Sequence, residues 1–213
     1  MPIAAKEVQL PEDIPSRILN AALNVFAEHG YNGAATREIA RRASVHQPSI
    51  AYHFGSKEHL WKAAAKAVFT KFSDAMHSNL QNVANDEDRL RRLAELYVRF
   101  VAGQPEWATF VIQEGMQTGD RSRWLSKTWI EPQAWQLYKA ITGRDWPKRN
   151  KAAIGEAVSF LAILTGSTLI FAQKAQVKRL SGTDTSSPDF IKQYVKTVYL
   201  VLKALQTNAD FGR

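Results

Sequence analysis

The feature that most constrains the fold is a run of short helix-forming stretches within residues 17–53. In Arg17–His29, apolar residues recur at helical spacing, and Gly30 follows where a helix is expected to stop. A second stretch, Arg37–Ala43, comes after Thr36, whose hydroxyl is expected to cap it. The pattern therefore predicts two short helices in quick succession.

A third stretch and a long fourth one complete this region. Residues 44–46 form a turn, and Gln47–His53 is predicted to be helical, with Pro48 in the first turn, where a missing N–H costs nothing. Ser56 is expected to cap a long amphipathic helix over residues 57–79. Two short helices joined by a tight turn have the dimensions of a helix-turn-helix, and the long helix serves as a connector.

The rest of the chain also has helical periodicity, without β-alternating runs or repeats. Pro132 is expected to kink or split one helix. We predict an all-α fold of about nine helices, with an N-terminal three-helix unit and a C-terminal helical domain. The predicted helices beyond the connector cover residues 86–101, 106–117, 122–141, 149–178 and 189–205.

Composition excludes some functions and leaves others open. Apolar residues make up 45% of the 213, enough to bury a core. The absence of cysteine excludes disulfides, thiolate metal sites and cysteine nucleophiles. The net charge is +8, but most of the excess lies after residue 62, so bulk charge is weak support for a polyanionic partner. We expect a cytosolic protein, since neither a leader nor a long uncharged apolar run is found.

The most specific motif is TREIARRASVHQPSIAYHFGSKEHL, Thr36 to Leu60, and within it Tyr-His-Phe-Gly-Ser-Lys-Glu. Over residues 17–62 the chain resembles the TetR family, the tetracycline-repressor-like regulators. The resemblance implies a flexible tail at 1–14, a helix-turn-helix DNA-binding domain at 15–62, and an effector-binding and dimerisation domain at 63–213. It also implies a bacterial cytoplasmic, nucleoid-associated homodimer that represses transcription from a palindromic or near-palindromic operator.

Four residues near the starts of the second and third helices are predicted to contact DNA. Thr36 can offer a hydroxyl and a nearby backbone N–H to a phosphate, or act only as a cap. Arg37 can reach guanine O6 and N7, or be merely solvated. Gln47 is placed to read adenine, and His46, just before it, is predicted to do the same.

Four further residues are predicted to bind the DNA backbone. Ser49, Tyr52 and His53 place hydroxyl and imidazole groups along the outer rim of the third helix, which suits phosphate. Tyr52 and His53 can instead pack partly against the first helix. Lys57 resembles the family's phosphate-binding lysine.

Two positions depart from the family pattern. Ser44 occupies a turn position that is commonly glycine, so the turn must accept a side chain, with modest strain if φ is positive. Ala51 stands where an aromatic phosphate contact is often found, so that contact is expected to be missing.

Aromatic residues are concentrated in the middle of the body, with glutamines nearby, as in a pocket for a hydrophobic or aromatic ligand. The alternative is that the aromatics only fill the core. By resemblance, a bound ligand tilts the connecting helix and spoils the spacing of the two DNA-reading units. The pocket residues we predict are Trp107, Phe110, Gln113, Gln117, Trp129 and Trp135.

Two apolar stripes near the C-terminus are predicted to pair with a second copy in an intersubunit four-helix bundle. The alternative is that both stripes are buried within one subunit. The predicted dimer residues are Leu161, Thr165 and Leu169 on one stripe, and Tyr194, Val198 and Leu202 on the other.

An enzyme is the first rival interpretation. The sequence shows no Gly-rich phosphate loop, no nucleophile elbow and no histidine pair at metal-binding spacing, so we predict no catalytic residue, metal or cofactor, and no membrane partner. The second rival is a ligand-independent DNA-binding or interaction module on the same fold.

Overall fold

The computed structural model of the protein describes residues 13–80, 85–147 and 151–211. These residues form eleven α-helices and one π-helical turn, and no strand occurs among them. The prediction of an all-α fold is confirmed. The chain divides into two compact units, and the boundary along the chain falls between Ala64 and Ala65.

The first unit contains α1 (Ile14–Gly33), α2 (Thr36–Arg42), α3 (Pro48–Phe54) and the start of α4 (Lys57–Leu80). The second unit contains the rest of α4 and all later elements. In chain order these are α5 (Asp86–Gly103), α6 (Pro105–Gly115), α7 (Asp120–Leu125), a π-helical turn (Ser126–Ile130), α8 (Glu131–Thr142), α9 (Lys151–Ala172), α10 (Lys174–Ser181) and α11 (Pro188–Phe211).

The helix predicted over residues 122–141 is split at Pro132, as expected. Pro132 lies in the first turn of α8, and the backbone N–H of Glu131 bonds five residues back, to the carbonyl of Ser126. A proline ring clashes with the carbonyl four residues earlier, and a π-helical turn is one of the recognised ways in which a helix accommodates such a break.

The helix predicted over residues 149–178 is also split, which the sequence pattern did not indicate. Gln173 has φ −107° and ψ 26°, outside the helical range, and it separates α9 from α10. These two splits account for eleven helices in the described residues where about nine were predicted.

The first helix begins earlier than predicted. The carboxylate of Asp13 accepts a hydrogen bond from the N–H of Ser16 at 2.8 Å, and Pro15 lies in the first turn. Both are strong helix-start signals, so the predicted tail at 1–14 is wrong at its last two residues. Residues 1–12 lie outside the described part of the chain.

The expected cap at Thr36 is also wrong. Ala35 occupies the cap position of α2 without a side-chain hydrogen bond, and Thr36 is the first helical residue. The hydroxyl of Thr36 is therefore left to a different partner, described below. Two other expectations are confirmed: Gly30 has φ 66° and interrupts α1, and Ser56 Oγ accepts the N–H of His59 at 3.1 Å.

Each unit has its own apolar core. In the first unit, buried side chains come from all four helices: Ile18, Val25, Phe26, Ile39, Ile50, Leu60 and Trp61. In the second unit, an aromatic cluster joins α4, α5 and α6, with neighbouring rings 4.7 to 6.2 Å apart: Phe69, Phe72, Tyr97, Phe100 and Trp107.

Helix α9 is apolar along most of its length yet largely uncovered. By length and composition alone, the helical segment of residues 153–172 could cross a membrane. Within one copy of the chain, Val158 and Ile163 are 52% and 45% exposed, and Leu169 is also exposed. Such an apolar face on a helix marks a surface for association.

Candidate nucleic-acid interface and candidate ligand cavity

The starts of α2 and α3 are joined by a side-chain hydrogen bond. Gln47 Nε2 donates to Thr36 Oγ1 at 3.2 Å, and both side chains belong to the first unit. Gln47 and His46 are exposed, and Thr36 is half-buried. The structure thus brings together two of the predicted site residues, at the N-termini of two short helices.

Arg37 differs from the other arginines of α2. Arg42 forms a two-pronged pair with Glu28 of α1, with both N–O distances 2.7 Å, and Arg41 and Arg42 both bind Glu38. These hydrogen bonds lower the pKa of Glu38 to about 2. Arg37 is exposed and has no such partner in the described residues. Arg41 and Arg42 therefore brace the unit, and Arg37 projects outward.

The exposed end of α3 carries two aromatic rings. Tyr52 is 85% exposed, and its ring meets that of His53 edge-on at 4.9 Å. His53 is exposed as well, whereas Ser49 is half-buried. Tyr52 is therefore too exposed to pack against the first helix. The pKa of Asp13, the cap residue of α1, is lowered mainly by its hydrogen bonds with Ser16 and to a small extent by His53, which lies close enough to contribute.

Lys57 begins α4, where the sequence pattern placed it. Its ammonium lies 4.8 Å from the ring centroid of Tyr31, which in turn meets Trp61 edge-on at 6.3 Å. This cation–π contact fixes the position of the lysine ammonium beside Tyr31.

The turn between α2 and α3 contains strained backbone. Ser44 has φ 53°, and it is the non-glycine residue with positive φ in the described residues. The condition under which strain was expected at this position is therefore met. The N–H of Val45 bonds to the carbonyl of Ala40 at 3.0 Å, so the turn is held despite that strain.

Replacing Ser44 with glycine is expected to raise the free energy of unfolding by about 0.5–1 kcal/mol. Glycine removes the steric cost of the left-handed conformation, which exceeds its extra entropy in the unfolded chain. Urea denaturation measures the change. Ser44→Ala is the matched control and should bring no gain; a glycine variant no more stable than the alanine variant would contradict the strain argument.

The predicted ligand residues do not form one site. Trp107 lines a small cavity of about 60 Å³ in the second unit. Phe110 is buried core, Gln113 and Trp129 are half-buried, and Gln117 and Trp135 are exposed. None of these five lines the described cavities of the body. Of the aromatic residues among them, Phe110 therefore fills the core, as the alternative held, whereas Trp129 is half-buried and Trp135 is exposed.

Sequence reasoning left Gln133 out of the predicted site. Its side chain is buried on α8, accepts a hydrogen bond from Trp107 Nε1 at 3.2 Å, and donates to the carbonyl of Phe69 at 2.7 Å and to Ser73 Oγ at 2.9 Å. Gln133 therefore links α6, α8 and α4. A glutamine among apolar helix residues was the signal that could have found it.

An open groove of about 600 Å³ runs between α6, α7 and α9. One wall contains Glu114, whose side chain is 5% exposed and pairs with Arg121, whose side chain is 20% exposed, at 3.1 Å. A buried carboxylate of this kind needs such a partner. The remaining lining is mostly apolar and includes Val111, Ile112, Ile130, Ala162, Thr165 and Leu169.

The predicted dimer residues fall into two groups. Val198 and Leu202 are buried within the chain itself, on α11, which packs against α5, so they have no side-chain surface left for a partner. Tyr194 is half-buried and its hydroxyl donates to the carbonyl of Ser167 at 2.7 Å. Leu161 and Thr165 are half-buried, and Leu169 is exposed.

Fold and exposed side chains together define a helix-turn-helix protein with a separate helical body. A model of the family described as bacterial regulatory proteins, tetR family, matches residues 18–64. That range contains every DNA-contact residue predicted from the sequence. Over these residues the chain has the DNA-binding domain of the TetR family, a family of regulators and not of enzymes.

Known proteins resemble the chain to different extents. The HTH-type transcriptional repressor NicS of Pseudomonas putida is 29% identical over 106 residues, which is 50% of this chain and 50% of NicS. The match thus spans about half the length of that relative. A TetR-like transcriptional regulator from Rhodococcus sp. RHA1 has a TM-score of 0.71 at 16% identity, covering 96% of this chain and 100% of its own.

A further solved structure is that of the transcriptional regulator FadR from Bacillus subtilis in complex with stearoyl-CoA. Its TM-score is 0.64 at 16% identity, and the match covers 88% of this chain and 96% of FadR. At these identities the two solved structures establish that the fold extends over the body as well as the helix-turn-helix.

Proposed function

We propose that the protein is a sequence-specific DNA-binding transcriptional regulator. The observation that carries the proposal is the exposed polar edge of a helix-turn-helix within residues 18–64, the range that the family model matches. Arg37 and Gln47 stand at the starts of α2 and α3, and His46 and Tyr52 are exposed beside them. Helix N-termini and exposed donors of this kind suit a DNA groove.

The residues divide into two roles. Gln47, with Arg37 and His46, is proposed to read base edges, because it is exposed at the N-terminus of the recognition helix. Thr36, Ser49, Tyr52, His53 and Lys57 are proposed to hold phosphates. The hydrogen bond from Gln47 to Thr36 orients the reading amide before DNA arrives.

Two alanine variants separate these roles. Lys57→Ala is expected to weaken binding to every duplex and to lower the salt slope by about one unit, because one phosphate contact and its released counterion are lost. Gln47→Ala is expected to cost about 1–3 kcal/mol on the preferred duplex and little on a scrambled one. Mobility shifts over a salt series measure both.

Lys66→Ala is the matched control, since it removes one exposed α4 lysine outside the helix-turn-helix. It should leave the salt slope unchanged. Equal losses on specific and scrambled DNA for both Lys57→Ala and Gln47→Ala would contradict the division of roles.

The protein is proposed to act as a homodimer through α9. Outside the groove lined by Ala162, Thr165, Gly166 and Leu169, this helix exposes Gly155, Val158, Ser159 and Ile163 at helical spacing. Small residues let two helices approach closely, and the apolar neighbours are removed from water. A twofold dimer presents two reading units and therefore implies a palindromic operator.

Repression relieved by a small molecule is the proposed mode of action, in the bacterial cytoplasm at the nucleoid. NicS is named a repressor, and stearoyl-CoA is bound in FadR. By the family mechanism, a ligand favours a body conformation that tilts the connecting helix. The cavities described in the body support a ligand site there.

The first test is a mobility shift at stated salt on the DNA flanking the coding region, beside a scrambled duplex. A salt-resistant preference for the native fragment supports sequence-specific regulation. Equal, weak binding to both favours the second candidate, a ligand-independent module on the same fold.

A further inference from the structure

Two separate voids in the second unit share a wall. The small cavity of about 60 Å³ and the open groove of about 600 Å³ are both lined by Val111, Ile130 and Thr165. These three side chains therefore border both voids. The groove lies in the usual size range for small-molecule sites, and the cavity has room for a few non-hydrogen atoms.

The polar side chains that line the small cavity can accept one further hydrogen bond. Trp107 Nε1 donates to Gln133 Oε1 at 3.2 Å, and the two hydrogens of Gln133 Nε2 go to Phe69 O and Ser73 Oγ. Tyr97 donates to the carbonyl of Leu164 at 3.0 Å. Because a carbonyl oxygen accepts two hydrogen bonds, Gln133 Oε1 can accept one more, from a donor inside the cavity.

We propose that the groove and the cavity are the two parts of one effector site, and that the effector is a neutral, slender apolar molecule with one terminal hydroxyl, which donates to Gln133 Oε1. The proposal rests on the function proposed above. The apolar body of the ligand lies in the groove, and its hydroxyl end passes between Val111, Ile130 and Thr165 into the cavity.

The residues that line the small cavity explain why the end of the ligand that enters it must be neutral. All ten residues that line the cavity are uncharged: Tyr97, Trp107, Val111, Ile130, Gln133, Ala134, Leu137, Leu161, Leu164 and Thr165. An ionised carboxylate or phosphate placed there would be buried without a countercharge, which is costly. The one charged residue in the groove wall, Glu114, is paired with Arg121.

The same glutamine connects the ligand to the connecting helix. Gln133 Nε2 binds two successive turns of α4, at Phe69 and Ser73. A ligand hydroxyl that donates to Oε1 therefore interacts with a side chain that is already hydrogen-bonded to α4. Ser73 is in this respect a positioning residue, since it holds the amide of Gln133 without touching the cavity.

The test uses 4-hexylphenol and its matched ether, 4-hexylanisole, with the full-length protein. The two probes share an apolar body, and only the phenol has a donor. Quenching of the protein's tryptophan fluorescence and thermal stabilisation measure binding. The phenol is expected to bind about tenfold more tightly, which is the worth of one hydrogen bond in a buried site. Equal affinities would overturn the role of Gln133.

Two variants locate the site. Gln133→Met keeps the side-chain volume and is expected to abolish the difference between phenol and ether. Val111→Trp is expected to close the passage and to reduce binding of both probes at least tenfold, with the melting temperature within a few degrees of wild type. Undiminished binding to Val111→Trp would overturn the two-part site even if Gln133→Met does not fold.

A third variant isolates the coupling, and DNA binding is scored separately. Ser73→Ala is expected to bind the phenol as wild type does but to need several times more of it to leave the operator. Release of Ser73→Ala at the wild-type phenol concentration would overturn the coupling through Gln133. Absence of specific DNA binding by the ligand-free protein would instead overturn the proposed function, whatever the phenol does.

Discussion

Replacing Arg121 with alanine is expected to lower the free energy of unfolding by about 3 kcal/mol, the cost of leaving a buried carboxylate without its partner. The side chain of Glu114 is 5% exposed, and Arg121 Nε lies 3.1 and 3.2 Å from its two oxygens. Urea denaturation followed by circular dichroism measures the loss.

Two controls show whether burial is the cause. Arg123→Ala removes an arginine whose pair with Asp120 is exposed on both sides, and it should change stability by less than about 0.5 kcal/mol. Adding Glu114→Gln to Arg121→Ala should recover part of the loss, because a neutral amide is easier to bury. A loss below about 1 kcal/mol for Arg121→Ala alone would refute the argument.

Phe72→Ala is expected to be at least as damaging, with a loss of about 3–5 kcal/mol. Phe72 is fully buried on α4, and its ring centroid lies 4.9 Å from that of Phe100 and 4.7 Å from that of Trp107. Alanine leaves a cavity at the centre of the aromatic cluster, which its neighbours can only partly fill. The shift in the urea midpoint at constant slope reports the loss.

Leu200→Ala is the control, because it also truncates a large apolar side chain but one that is not buried. Leu200 is 63% exposed on α11, so its truncation should cost less than about 0.5 kcal/mol in the monomeric unit. Phe72→Leu should fall between the two alanine variants, since it restores most of the lost volume. A cost for Phe72→Ala no larger than that for Leu200→Ala would mean that the cluster does not hold the body together.

Local signals made the helix-turn-helix predictable. Glycine at 30, proline at 48 and serine at 56 each act on the backbone within a few residues, so their effects were expected from the sequence and are present in the structure. At Ser44 the motif showed only that a side chain replaces the usual glycine, and the structure shows that φ there is positive. Where a competing local signal was overlooked, as with Asp13 and Pro15, the boundary was wrong.

The body was predictable as helices but not as a site. An aromatic residue has the same periodicity whether it fills the core or lines a cavity, so Trp107 and Phe110 could not be told apart. Similarly, Val198 and Leu202 lie on an apolar stripe that suits a dimer, but α5 of the same chain covers them. Periodicity identifies a buried face without identifying what buries it.

The sequence by itself determined the helical class, the turn at Ser44, and the helix starts at Pro48 and after Ser56, because these follow from interactions within one or two helical turns. Only the tertiary structure decided that Gln133 meets Trp107, 26 residues away, and Phe69, 64 residues away. Contacts over such separations depend on how helices pack, and a side-chain pattern along one helix does not specify its neighbour.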